Sequence, residues 1–157
     1  MTVTHIAPVV RTIRVKSTAE RAFSFFTSEL GRWWPPNFSI GSSPMVSAHI
    51  EPGVGGRWYE VGEDGSTCQW GEVLVWNPHH NLVLAWRIGA DWQYHPDLLT
   101  EVEISFRALG AAETEVILEH RKLENYGDKS AEIVGIFSSP GGWSAALERF
   151  GNRLTEA

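Results

Sequence analysis

The side chains able to do acid–base or nucleophilic chemistry are few here: six histidines, one cysteine, and carboxylates and tyrosines spread over strand-like runs. His79 and His80 are neighbours in "NPHHN", expected to point apart or into solvent, while His49, His95 and His120 lie on separate segments. None follows HExxH or accompanies a CxxC, the spacings that bring metal ligands together, so no metal is expected. His120 is a different case. It shares a strand face with Val116 and Leu118, which should be the covered one. An imidazole there would be an acid, a base or a hydrogen-bond partner for a ligand; the competing reading is a core histidine tied to the backbone. Glu60, Glu72, Tyr59 and Tyr94 would do general acid–base work only if they faced a cavity. Glu60 and Glu72 lie on strands, where a carboxylate is expected on the solvent face, and no spacing pairs them for two-carboxylate hydrolysis. Cys68 has no basic neighbour in sequence to activate it and reads as a small strand residue. GxSxG, P-loop and GxGxxG signatures are absent. No catalytic residue and no cofactor is therefore predicted.

What the sequence offers instead is aromatic surface: eight tryptophans in 157 residues, each a large apolar body with one N–H to satisfy. Trp33, Trp34 and Phe38 fall in "GRWWPPNFSIGSSP", which Gly31, Pro35, Pro36, Gly41 and Pro44 break into a long loop. Such loops are uncommon unless they cover something. Trp86 shares a face with Leu82, Leu84 and Ile88, and Phe106 with Val102 and Ile104; both are expected to point at the helix carrying Trp143. The glycines of "GVGG" precede a strand and read as turn or bulge residues. For "TCQWGEVLVW" the register is open. With Val73 opposite Trp86, residues Gly71, Val73 and Val75 point inward and Trp70 and Trp76 outward, although a slip of one residue reverses every one of them. Outward tryptophans would form an apolar patch, and hence a homodimer interface.

The elements that must position these residues follow from periodicity. "VVRTIRVK" alternates as a half-buried strand, and "STAERAFSFFTS" is a short amphipathic helix. Ser17 or Thr18 is its N-cap, with Glu20 placed for a capping box. Five or six strand-like runs follow, among them "TEVEISFRAL" and "ETEVILEHRKL", whose clean alternation predicts an antiparallel sheet with one covered face. After "SSPGG", Trp143, Leu147, Phe150 and Leu154 recur on one helical face. The order predicts an α+β fold: a curved antiparallel sheet gripping a long C-terminal helix, in a single domain over residues 1–157. The concave side of such a sheet is a natural place for a pocket. A net charge of −6 without a basic cluster argues against nucleic acid and an anionic membrane as partners. The lone cysteine, and an opening "MTVTHIAPVV" without a basic, apolar leader pattern, fit the cytoplasm.

The strand-then-capped-helix opening, "GGRWYEV", "WGEVLVWNPHHNLVLAW", "TEVEISF" followed by "TEVILEH", and the closing "GGWSAALERFGNRL" resemble the SRPBCC superfamily over about residues 9–156. Within it they are most similar to single-domain proteins related to the C-terminal domain of the activator of Hsp90 ATPase. The resemblance implies the helix-grip fold of Bet v 1 and START domains, with a cavity between sheet and C-terminal helix. It lacks the Cys/His pattern of a Rieske cluster, so an oxygenase is not implied. The leading expectation is a small apolar or amphipathic ligand in that cavity. Trp33, Trp34 and Phe38 would stand at its mouth. Trp58, Trp86, Phe106 and Trp143 would form its walls, with Leu147 also in contact and His120 as polar anchor. The alternatives are a chaperone partner, implied by the resemblance alone, and a cyclase or hydrolase using His120 with a tyrosine or glutamate.

Overall fold

The computed structural model describes residues 6–157, so the expectation about the leader falls partly outside the described residues. Seven strands run β1 (Val9–Val15), β2 (Met45–Ile50), β3 (Arg57–Gly62), β4 (Thr67–Asn77), β5 (Asn81–Trp86), β6 (Thr100–Gly110) and β7 (Glu113–Arg121). They form one antiparallel sheet in the order β1-β7-β6-β5-β4-β3-β2. Helix α1 (Ala19–Ser28) and the single turn α2 (Leu30–Trp33) lie between β1 and β2; α3 (Ser130–Ser138) and α4 (Trp143–Glu156) close the chain. This is the expected helix-grip α+β architecture.

Bulges curl the sheet. Pairing slips between Trp58 and Tyr59 on β3, and again between Val73 and Val75 on β4, and each slip adds twist and bends the bulged strand. At the first slip β4 runs so close to β5 that a Cβ on Gly71 would lie 1.7 Å from the Ala85 carbonyl oxygen. Only glycine fits there. The two bulges also overturn the expected facing of the β4 tryptophans. Trp70 is the extra residue opposite the Trp58–Tyr59 step and is fully buried beside Gly71. Trp76 is half-buried, its ring edge-on to Phe23 at 5.2 Å. Neither belongs to an exposed patch, so the outward tryptophans that suggested a dimer face are absent.

Helix α1 starts where the sequence predicts, with Thr18 as N-cap: its side chain accepts from the Arg21 N–H. With the cap at Thr18, Glu20 falls one position short of the capping-box site and serves only as an acidic first-turn residue. Replacing Thr18 with alanine is expected to cost about 1 kcal/mol and roughly 2–4 °C in melting temperature for a chain of this size, read by thermal denaturation. At its other end the supposed irregular loop continues as α2, placing Trp33 against Phe26 and Phe150 with its N–H donated to the Phe26 carbonyl.

The α4 face carrying Trp143, Leu147, Phe150 and Leu154 is buried as its spacing predicts. Two arginines tie it down. Arg21 donates to the carbonyls of Leu154 and Ala157 at the helix C-terminus, where free carbonyls favour a cation. Arg11 reaches Ser144 Oγ and the Ser138 carbonyl, fixing the elbow between α3 and α4 to β1. That elbow is tight. A Cβ on Gly142 would lie 2.4 Å from the Phe137 carbonyl oxygen, so only glycine lets the chain turn back there. Residues 123–138, to which the sequence reading gave no element, form a 3-10 segment (Leu123–Lys129) and α3. The four-residue spacing of Ile133 and Phe137, both buried, is the signal that would have found α3.

Candidate functional site

A cavity of about 310 Å³ opens where four pieces of the fold meet: the strap 34–40, the end of β5, the loop holding Trp92, and the α3–α4 elbow. Its wall is aromatic: Trp34, Phe38, Trp86, Trp92, Phe137 and Trp143, with Asn37 and Ser39 supplying side-chain polarity. Phe137 stacks on Trp143 at 5.7 Å and 19° between planes, giving one flat, rigid side. Trp34 meets Trp143 at 5.9 Å and Trp70 at 4.8 Å, so the opposite wall continues into the core as an indole cluster with Trp58 and Trp86. The indole N–H groups of Trp34, Trp58 and Trp86 are buried and have no hydrogen-bond partner among the described residues.

Of the residues expected at the site, Trp34, Phe38, Trp86 and Trp143 line the cavity. The others sit behind it or elsewhere. Trp33 and Phe106 pack around Phe26, so Phe106 lies under α1 and not opposite Trp143. Trp58 stands one layer back, between Trp34 and Trp86, and Leu147 lies on the buried face of α4. Trp92, Phe137 and Ile136 also line the cavity, outside the set the sequence predicts. Trp92 gave no periodic signal: it sits in a turn with φ of 60°, a left-handed conformation unusual for a bulky residue, and is 40% exposed.

His120 is fully buried, and both ring nitrogens are engaged. Nδ1 accepts from Trp143 Nε1 at 3.1 Å, and Nε2 lies 2.9 Å from Thr100 Oγ1. Thr100 spends its own proton on the Trp86 carbonyl at 2.8 Å, so its oxygen accepts and the imidazole carries its proton on Nε2. Burial holds the pKa of His120 down at about 3, far below the ordinary imidazole value. The ring is thus neutral, with no lone pair left for a ligand. It orients the Trp143 indole that forms the cavity wall. Close by, Tyr126 donates to the Ile88 carbonyl at 2.6 Å, and burial pushes its phenol up to about 12.

Glu60 overturns the expectation of a solvent-facing carboxylate: it is 1% exposed. Period-two alternation puts it on the face of Trp58, and its Oε1 accepts from the backbone N–H groups of Ile40 and Gly41 and from Trp70 Nε1. Oε2 has no partner among the described residues. Glu60 therefore pins the strap that forms one lip of the cavity. Glu72 does face outward, in a two-point ion pair with Arg87 at 2.8 and 2.9 Å. Cys68, across from Glu60, is half-buried; burial first and the Glu60 charge second push its thiol pKa up, the reverse of an activated nucleophile. Among the described residues no group of three or more His, Cys, Asp or Glu side chains is placed to hold a metal. No helix among them is long and apolar enough to cross a membrane.

The anthrahydroquino-γ-pyrone synthase Txn09 has 36% identical residues, with 98% of this chain and 99% of that chain covered and a TM-score of 0.66. The self-sacrificing resistance protein CalC from Micromonospora echinospora is 28% identical over 96% of this chain and 95% of its own, with a TM-score of 0.68. Protein NE0264 from Nitrosomonas europaea shares only the fold, at 12% identity and a TM-score of 0.67. No curated protein matches. The model of the family described as Activator of Hsp90 ATPase homolog 1-like protein matches residues 16–155. This chain, a helix-grip domain with an aromatic-walled cavity, belongs to that family.

Proposed function

We propose that this protein binds a flat, largely apolar polycyclic aromatic molecule in the cavity between the strap, the sheet and the α3–α4 elbow. The observation that carries the proposal is the wall itself. Six aromatic side chains enclose about 310 Å³, a volume at the small end of ligand pockets, and offer flat faces to stack on. The stacked Phe137–Trp143 pair and the pinned strap make the site preorganised, so little ordering cost accompanies binding. Txn09, by its name a synthase of a fused-ring anthrahydroquino-γ-pyrone, supports the same chemical class.

Titration with a hydroxyanthraquinone such as emodin is expected to quench tryptophan fluorescence saturably. Phe137→Ala should weaken binding by roughly tenfold, the worth of one aromatic contact of ~1.4 kcal/mol. Absence of saturable quenching across a panel of polycyclic aromatics would sink the proposal.

The identity to Txn09 over nearly the whole of both chains favours a second reading, a ring-closing step on the same class of molecule. None of the described residues lining the cavity carries a titratable side chain. Such a step would therefore rest on folding the substrate so that its reacting atoms meet, with Asn37 and Ser39 as the polar side chains at hand. Liquid chromatography with mass spectrometry of a bound polyketide-type quinone separates the two readings: a carrier returns the molecule with mass and retention time unchanged, and a ring-closing enzyme returns it one water lighter, or at the same mass with a shifted retention time.

A further inference from the structure

Beside the aromatic cavity lies a second, more open one of about 620 Å³, between the strap, the start of β4 and the loop 91–94. The two share Ile40 and Trp92 as lining residues. Their characters differ sharply. Where the first is walled by rings, the second presents Ser42, Thr67, Gln69, Gln93 and the exposed ring of Tyr94. Its one charged lining group among the described residues, Asp91, already has both carboxylate oxygens 2.9 Å from His95 Nε2. Hydroxyls, carboxamides and an exposed aromatic face, without a free cation, suit an uncharged molecule with many hydroxyl groups. An anionic arm would find no counter-charge there, in a chain whose net charge is already −6.

The partition between the two is held in place deliberately. Trp92 keeps its left-handed backbone because the loop is tied on each side: its N–H donates to the Gly89 carbonyl, the Gln93 N–H to Asp91 Oδ1, and the Gly89 N–H to the Gln93 carbonyl. A bulky residue in that conformation persists only where the surroundings over-determine it, and such positions concentrate at ligand sites. Here the outcome is a 40%-exposed indole whose edge meets Phe137 in the first cavity while it also lines the second.

Resting on the aromatic-ligand reading above, we propose that the two cavities form one bipartite site for a glycosylated aromatic molecule. The fused rings lie among Trp34, Phe137 and Trp143, the linkage crosses Ile40 and Trp92, and the sugar lies against Gln69, Gln93 and Thr67. Isothermal titration calorimetry with emodin and two of its regioisomeric monoglucosides tests this on the intact chain. At least one glucoside should bind roughly tenfold tighter than emodin, the gain from about two neutral hydrogen bonds. Gln93→Ala and Thr67→Ala, both at exposed positions, should each cut that advantage to about threefold and together bring it within about twofold, leaving the affinity for emodin unchanged. Trp92→Ala should weaken all three ligands. If emodin binds and neither glucoside binds tighter, or if the Gln93 and Thr67 variants keep the advantage, the bipartite site is wrong and the aromatic cavity stands. If none of the three binds, both are wrong.

Discussion

Glu60→Ala is expected to lower the unfolding free energy by about 3 kcal/mol and the melting temperature by roughly 10 °C. The carboxylate has three N–H donors on Oε1, from Ile40, Gly41 and Trp70. Alanine leaves all three without an acceptor: the fully buried Trp70 N–H has no water to turn to, while the two strap N–H groups are only partly buried. A stranded buried donor costs about 1–3 kcal/mol; the strap can recover part of this by swinging its two N–H groups into solvent, which is why the total stays near the lower bound. The swing is the functional consequence. The strap carries Trp34, Phe38 and Ile40 into the cavity wall, so Glu60→Ala should also raise the emodin dissociation constant. Glu60→Gln separates the causes. Its carbonyl oxygen can still accept, while its NH₂ group enters the site of Oε2, where no acceptor waits among the described residues, so it should fall between wild type and alanine. Amide hydrogen exchange reads the strap directly: Ile40 and Gly41 should lose protection in the alanine variant. Unchanged protection there, or a melting temperature within a degree or so of wild type, would remove Glu60 from the role of latch.

The architecture was legible because alternation and helical spacing are strong signals over long, regular segments. β6 and β7 alternate without interruption across the Val102–Phe106 and Val116–His120 faces, and the buried set follows that period. The four-residue rhythm of Trp143, Leu147, Phe150 and Leu154 did the same for α4. The site was less legible, for two physical reasons. In β4, each of two bulges resets the period, so a rule that assigns faces by counting gave Trp70 the wrong side. The glycine beside it was the available clue, because a strand-interior glycine marks a bulge or a close backbone approach. In β3, residue type and position point opposite ways. The sequence predicts Trp58 inward, and its i+2 neighbour Glu60 must share that face, yet a strand carboxylate is expected in solvent. The carboxylate is tolerable inside because a segment some twenty residues earlier delivers two backbone donors to it, and that pairing has no local signature. The same holds for Trp92, whose place in the wall depends on a turn and on α3 arriving from 45 residues later at Phe137.

Acid should destabilise this protein through His120 in particular. In the unfolded chain its imidazole takes up a proton as pH falls through its ordinary value of 6.5, whereas burial keeps the folded pKa at about 3. Between those values the unfolded state binds more protons than the folded one, so stability rises with pH across that window and is lost as pH falls. From about pH 7 to about pH 5 this one group should account for a loss of roughly 2 kcal/mol, most of it below pH 6.5. The loss continues down to about pH 3 and then levels off. Protonating the folded ring is hard for a reason beyond burial: the second proton would have to sit on Nδ1, where the Trp143 N–H already points at 3.1 Å. His120→Gln tests this without relying on the other histidines, which contribute equally to both proteins. The variant should be less stable at neutral pH by about 1–3 kcal/mol, because a buried hydrogen-bonded pair is broken, but its urea midpoint should move less between pH 7 and pH 5 than the wild-type midpoint does. The reorganised Trp143 should also loosen the cavity wall and weaken emodin binding at neutral pH. If the variant keeps the full wild-type pH dependence, the acid sensitivity belongs to other groups and the neutral, doubly bonded His120 is not its source.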